Sequence, residues 1–73
     1  MSKYLQEYKR FVRLIQENDK SATYILIDNI QSITSYIEGT CNITMHGGNS
    51  ILVAHTVDET VHMVDEALNN MRR

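Results

Sequence analysis

The stretch from Asn42 to Glu59, NITMHGGNSILVAHTVDE, decides how this chain folds. Its first half alternates, with Ile43 and Met45 set against Asn42, Thr44 and His46. Its second half alternates again, with Ile51 and Val53 set against Leu52 and Ala54. A period of two is the mark of strands that bury one face. Gly47-Gly48 lies between them, and a glycine pair takes the positive φ angles that a type I′ hairpin turn needs at both central residues. A phosphate-binding loop would instead need a longer glycine-rich run opening a helix, with a lysine to reach the phosphates. Here the glycines open a strand, and no lysine follows them in the chain. The pair therefore reads as a turn.

The stretch ends in Thr56-Val57-Asp58-Glu59, which fits a capping box. The Thr56 hydroxyl is placed to accept from the Glu59 amide, and the Glu59 carboxylate to accept from the Thr56 amide. Beyond it Val57, Val61, Val64, Leu68 and Met71 recur at helical spacing and form one apolar stripe. Asp58 and Glu59 fall at the positive end of the helix dipole, Arg72 and Arg73 at the negative end. The spacing predicts a helix over 57–71.

Toward the N-terminus the strand pattern continues. Residues 31–37, QSITSYI, put Ile33 and Ile37 on one face and Tyr36 on the other. Glu38-Gly39-Thr40 is long enough to reconnect them to an antiparallel strand that opens at Cys41. Residues 22–27, ATYILI, predict a further strand. Asp28-Asn29 then offers a turn that the Asp28 side chain can cap, with Ile30 and Ile33 returning to the core.

Residues 4–16 support two readings. As a helix, Tyr4, Leu5, Tyr8, Phe11, Val12 and Ile15 share one arc, with Lys3, Lys9, Arg10 and Arg13 opposite. As a strand, residues 10–16, RFVRLIQ, are rich in aromatic and β-branched types. They lead through the polar residues Glu17 to Lys20 into ATYILI. Periodicity favours the helix and the loop favours the hairpin.

Size sets further bounds. The chain has 73 residues and 8.4 kDa, enough for one domain spanning 1–73. A domain of this length buries only about 60% of its unfolded surface, so its core is thin. Small folds compensate with disulfides, metals or association. The single cysteine, Cys41, excludes an internal disulfide, which leaves association as the expected remedy. A lone thiol and the absence of a long apolar run point to a reducing, cytoplasmic setting with no membrane contact. The longest apolar run, Tyr24 to Ile27, is far short of the roughly 18 residues that span a bilayer. In that setting the Asn42-Ile43-Thr44 sequon is expected to go unused.

Charge is divided unevenly. Residues 1–20 hold five cations (Lys3, Lys9, Arg10, Arg13, Lys20) against three acids, a balance of +2, and the remainder holds two against six, a balance of -4. A weakly basic end on an acidic body is a poor footprint for nucleic acid.

The residues Val12 and Leu14, Ile27-Asp28 with Ile30 and Ile33, residues 42–45, Gly47-Gly48, Val53, and Thr56 to Val64 follow one another in an order that resembles the short FlbD-like (SwrD, swarming-motility) proteins of bacteria. The resemblance spans residues 10–71 and is one of apolar positions and turns. The 17–21 loop departs from it by lacking glycine, and Asp28 stands where the group has asparagine. It implies an α+β fold, a small antiparallel sheet of four to five strands with a C-terminal helix packed on it. It also tips residues 10–16 toward a strand, with residues 1–9 as a short helical turn or loose end, strands over 10–54 and the helix over 56–71. Bacterial and phage origins fit equally. The group brings no catalytic residue.

The chemistry-bearing side chains read as structural. His46, His55 and His62 lack the local spacing that brings metal ligands into one shell. Cys41, in register with Ile43 and Met45, reads as a buried thiol with no base beside it. Asp58-Glu59 and Asp65-Glu66 suit a solvated helix face. No catalytic residue, no cofactor and no metal is expected. The candidate contact residues are Lys3, Lys9, Arg10 and Arg13, interleaved with Tyr4, Tyr8 and Phe11 as on single-strand binding platforms. The reading is a small non-enzymatic module acting through protein–protein contacts, with itself or a larger protein, as a homo-oligomer. The alternative is a nucleic-acid-binding regulator using that basic segment, with Arg72 and Arg73 in support.

Overall fold

The computed structural model describes residues 10–71. The chain opens with β1 (Phe11–Ile15) and β2 (Ala22–Leu26), paired antiparallel in the register Phe11↔Leu26 to Ile15↔Ala22. A 3₁₀ turn, Ile27–Asn29, leads into β3 (Ile30–Ser35). β4 (Cys41–Met45) and β5 (Ser50–Val53) complete an antiparallel sheet of order β3-β4-β5. The helix α1 (Val57–Met71) closes the fold. The expected single sheet is thus two small sheets, of two and three strands, joined at an isolated Gln16↔Val53 bridge.

Of the two readings of residues 10–16, the strand is the one adopted. Four polar residues and a left-handed Lys20 (φ 60°) turn the chain back on itself. Gln16 N–H donates to Ser21 O at 2.8 Å, and Lys20 N–H to Gln16 O at 3.0 Å. The Asp19 carboxylate fastens the loop by accepting from the Ser21 hydroxyl (2.7 Å) and amide (3.0 Å). A helix over 4–15 would have left this hairpin unmade. The short turn or loose end expected for residues 1–9 lies outside the described residues, as do Lys3, Lys9, Arg72 and Arg73.

The alternation of β4 is the clearest agreement between sequence and fold. Cys41, Ile43 and Met45 are buried while Asn42 and Thr44 are half-exposed. They join Val12, Leu14, Ile25 and Val53 in one core, against which Ile27, Ile30, Ile33, Ile51, Val57, Met63, Val64 and Ala67 pack. Ile37 was expected beside Ile33 but lies past the end of β3 and is 60% exposed. The Ile37–Thr40 turn displaces it: Thr40 N–H donates to Ile37 O at 2.9 Å, with Gly39 at φ 82°.

The glycine hairpin differs in detail from the expected type I′ turn. Met45 N–H donates to Asn49 O at 2.7 Å and Gly48 N–H to Met45 O at 3.0 Å, so His46 and Gly47 are the central residues. His46 keeps an ordinary φ and Gly47 takes 99°, the sign pattern of a type II turn. Gly48, at φ 94°, is the extra residue that returns the chain to β5. Asp28 also departs from expectation. Its carboxylate makes no cap hydrogen bond to the 3₁₀ turn and instead accepts from Arg10 Nε at 3.0 Å.

The capping box forms as read. Thr56 N–H donates to Glu59 Oε1 at 2.8 Å, and Glu59 N–H to Thr56 Oγ1 at 3.1 Å. The stripe that α1 buries is rotated from the expected one, however. Val61 is 51% exposed, and Thr60 is fully buried in its stead. The reason is a polar contact: the Thr60 hydroxyl meets the Cys41 thiol at 3.3 Å, which satisfies both groups inside the core.

Two predictions follow from the turns and caps. Thr56→Ala removes one acceptor from the helix start and should cost about 1 kcal/mol in urea unfolding; an unchanged midpoint would contradict the cap. The Ser21 hydroxyl, then the Ser21 amide, hold the Asp19 carboxyl below its ordinary value. A depressed carboxyl contributes stability above the ordinary aspartate range and loses it as pH falls through the folded value. A carbon-detected NMR titration should therefore place the Asp19 midpoint below that of a free aspartate, and Ser21→Ala should raise it.

Candidate interaction surface

The functional side chains are best placed by asking which way each strand faces. In β1, Val12 and Leu14 point into the core, so Phe11, Arg13 and Ile15 line the opposite face. In β2 the same face carries Ala22, Tyr24 and Leu26. Arg13 and Tyr24 are direct cross-strand partners, both exposed, and Tyr24 is 66% exposed. A guanidinium and a phenol ring on opposing residues are neighbours within reach of one another. Half-buried Phe11, Ile15 and Leu26 surround them. Of the four cations expected to form a contact site, Arg10 and Arg13 are the two within the described residues. Arg10 is engaged by Asp28, and Arg13 projects free of any ion pair there.

The outer face of the three-stranded sheet has a different character. Its cross-strand rows are Ser32–Thr44–Ser50 and Thr34–Asn42–Leu52. These are hydroxyl, amide and one aliphatic side chain, with no charge among them. Between Ser21 and Val57 the chain carries only two charged residues, Asp28 and Glu38. Tyr36 (62% exposed) stands with Ile37 at the end of β3.

The three histidines and the thiol are dispersed, each with its own local partner or position. His46 is exposed at the centre of the β4–β5 turn. His62 lies 3.5 Å from Glu66 on the solvated side of α1. Cys41 is buried against Thr60. His55 has a role that the sequence reading missed. Its Nε2 accepts the Ile15 amide at 3.1 Å, which places the ring proton on Nδ1 in the neutral form. The signal that could have found it is position: His55 is the first residue beyond the point where β5 leaves its partner. There Ala54 N–H donates to Ile15 O at 2.8 Å, and the imidazole supplies the return acceptor that the departing backbone cannot.

His55→Ala leaves the half-buried Ile15 amide without that partner. The expected loss is about 1–3 kcal/mol in chemical unfolding, with faster hydrogen exchange at Ile15. Equal stability and unchanged exchange would show that the imidazole is dispensable there.

No family model, no curated protein and no solved structure matches this chain.

Proposed function

We propose that this protein is a small interaction module that works by presenting open sheet edges to other chains, its own copies first among them, and that it carries out no catalysis. The observation that carries the reading is the state of its edges. Among the described residues, β2 pairs only with β1 and β3 only with β4. Both outer edges therefore offer unpaired backbone groups. Natural sheets protect such edges with charged side chains, proline or a bulge that twists the edge away. Residues 21–27 and 29–37, which contain the two edge strands, have neither a charge nor a proline. The irregularity between Ile30 and Ser32 bends only the start of β3. Strand addition, where the backbone supplies affinity and alternate side chains supply choice, is the mode that suits such edges.

The dispersal of His46, His55, His62 and Cys41 supports the non-catalytic half, since a nucleophile or metal centre needs those types to converge. A nucleic-acid reading draws on the Arg13–Tyr24 pair, because a base stacks on an aromatic ring beside a cation. It is weakened by the Arg10–Asp28 pair, which occupies one of the cations it would use.

Sedimentation velocity over a dilution series from low micromolar to millimolar protein tests the main reading. A weight-average coefficient that rises with concentration is expected. A single monomeric boundary throughout would refute self-association, and salt-sensitive retardation of single-stranded DNA or RNA would favour the rival.

A further inference from the structure

Resting on that reading of the edges, we infer that the self-association surface is the outer edge of β2, paired antiparallel with β2 of a second copy about a two-fold axis at Tyr24. Three observations converge on this strand and on this centre.

The first is which backbone groups are free. Ile27 N–H donates to Arg10 O, and Gln16 N–H to Ser21 O. In an antiparallel ladder the hydrogen-bonded pairs alternate along the strands. Residues 21, 23, 25 and 27 therefore direct their amides and carbonyls toward β1. Ala22, Tyr24 and Leu26 direct theirs to the open edge. A two-fold placed at Tyr24 makes Tyr24 a hydrogen-bonded pair with its own symmetry mate. It sets Ala22 opposite Leu26 of the partner subunit, and Leu26 opposite Ala22 of the partner subunit. Every free group on the edge then has a partner, and the interface is self-complementary as a two-fold requires.

The second is charge. Lys20 and Asp28 lie at equal distances from the centre, since 24 − 20 = 28 − 24 = 4. Both are exposed. Both lie just beyond the ends of β2, and each has a partner in its own copy, Lys20 with Glu17 at 2.7 Å and Asp28 with Arg10 at 3.0 Å. The same two-fold sets the Lys20 end of one β2 beside the Asp28 end of the other, so that opposite charges can exchange partners at each end of the joint. The rival edge lacks this match in its centred register. Asp28 and Glu38 lie equally far from Ile33, since 33 − 28 = 38 − 33 = 5, so β3 paired with itself about Ile33 sets acid against acid.

The third is the side chains. Tyr24, the most exposed large apolar residue described, stands at the centre, where the two phenol rings would meet. Ala22 and Leu26 flank it on the same face, and the Arg13 side chain opposite Tyr24 borders the joint.

Substitution at the axis tests the placement. Residues facing each other in a hydrogen-bonded antiparallel pair have Cα atoms about 5.5 Å apart, within disulfide range. Tyr24→Cys treated with diamide should give a covalent dimer, whereas Thr34→Cys on β3 should not, and the native thiol is buried and silent. Tyr24→Lys sets like charges together at the axis and should weaken association by about tenfold or more while leaving the melting curve of the monomer in place. Lys20→Glu and Asp28→Lys should each weaken association, and the double variant should restore it. Those two residues lie beyond opposite ends of β2 (Ala22–Leu26), so rescue must act between copies. If the wild type associates but the thiols do not join and Tyr24→Lys has no effect, the β2 joint is wrong and association through another surface stands. A wild type that stays monomeric overturns both.

Discussion

One junction makes this chain a single fold: the place where β1 meets β5. Gln16 lies opposite Val53, Glu17 N–H donates to Leu52 O at 3.0 Å, and Ala54 N–H donates to Ile15 O at 2.8 Å. The His55 imidazole adds the last hydrogen bond of the row before the chain turns into α1. Without this seam the protein would be a hairpin beside a three-stranded sheet, and the hairpin alone is at best marginally stable in water. With it, Val12 and Leu14 face Ile43 and Val53 across one interior, and α1 has a floor on which to lie. The separation of Gln16 and Val53 in sequence, 53 − 16 = 37 residues, makes the seam a non-local contact. Its closure entropy is met only when the core it completes is buried.

That seam explains what could and could not be read from the sequence. Local signals were legible. The capping box depends on two residues three apart, the β4 alternation on a period of two, and the Gly39 turn on one residue that tolerates positive φ. The rotation of α1 was not legible, because the valine spacing and the burial compete. Val57, Val61 and Val64 spell a stripe by hydrophobicity alone, yet the helix turns so that the Thr60 hydroxyl reaches Cys41. A threonine at the buried centre is invisible to a pattern that counts apolar residues. His55 was missed for a different reason: its partner, the Ile15 amide, lies on a strand distant in sequence. The type I′ expectation failed more narrowly: the Met45–Asn49 pair adds one residue to the loop, and the turn shifts back to His46-Gly47.

The candidate site was only partly visible. The sequence drew attention to cations, and the fold shows that Arg10 is spent on Asp28, where it ties the start of β1 to the 3₁₀ turn after β2. Arg13 retains an open position, and what gives it a neighbour is Tyr24, eleven residues later (24 − 13 = 11) and in register only because the hairpin has the length it has. The more telling pattern was the absence of charge between Ser21 and Val57, relieved by Asp28 and Glu38 alone. In a strand buried on both faces such a stretch is ordinary. On β2 and β3, whose outer sides have no strand partner among the described residues, it leaves an edge without the charges that usually guard one.

A thin core and strand edges without charge are the two features on which the proposed self-association rests. Among the described residues the buried core has seven apolar or thiol side chains, and the two further buried residues are threonines. Such a fold gains from any further removal of apolar surface from water. The edges decide where that happens. Charges at the ends of an edge strand act as selectors: Lys20 and Asp28 around β2 are opposite in sign and so permit antiparallel pairing of like with like. The acids beyond the two ends of β3, Asp28 and Glu38, disfavour it in the centred register. On the proposed β2 joint, assembly would end at a closed pair, because a two-fold uses up the edge it joins.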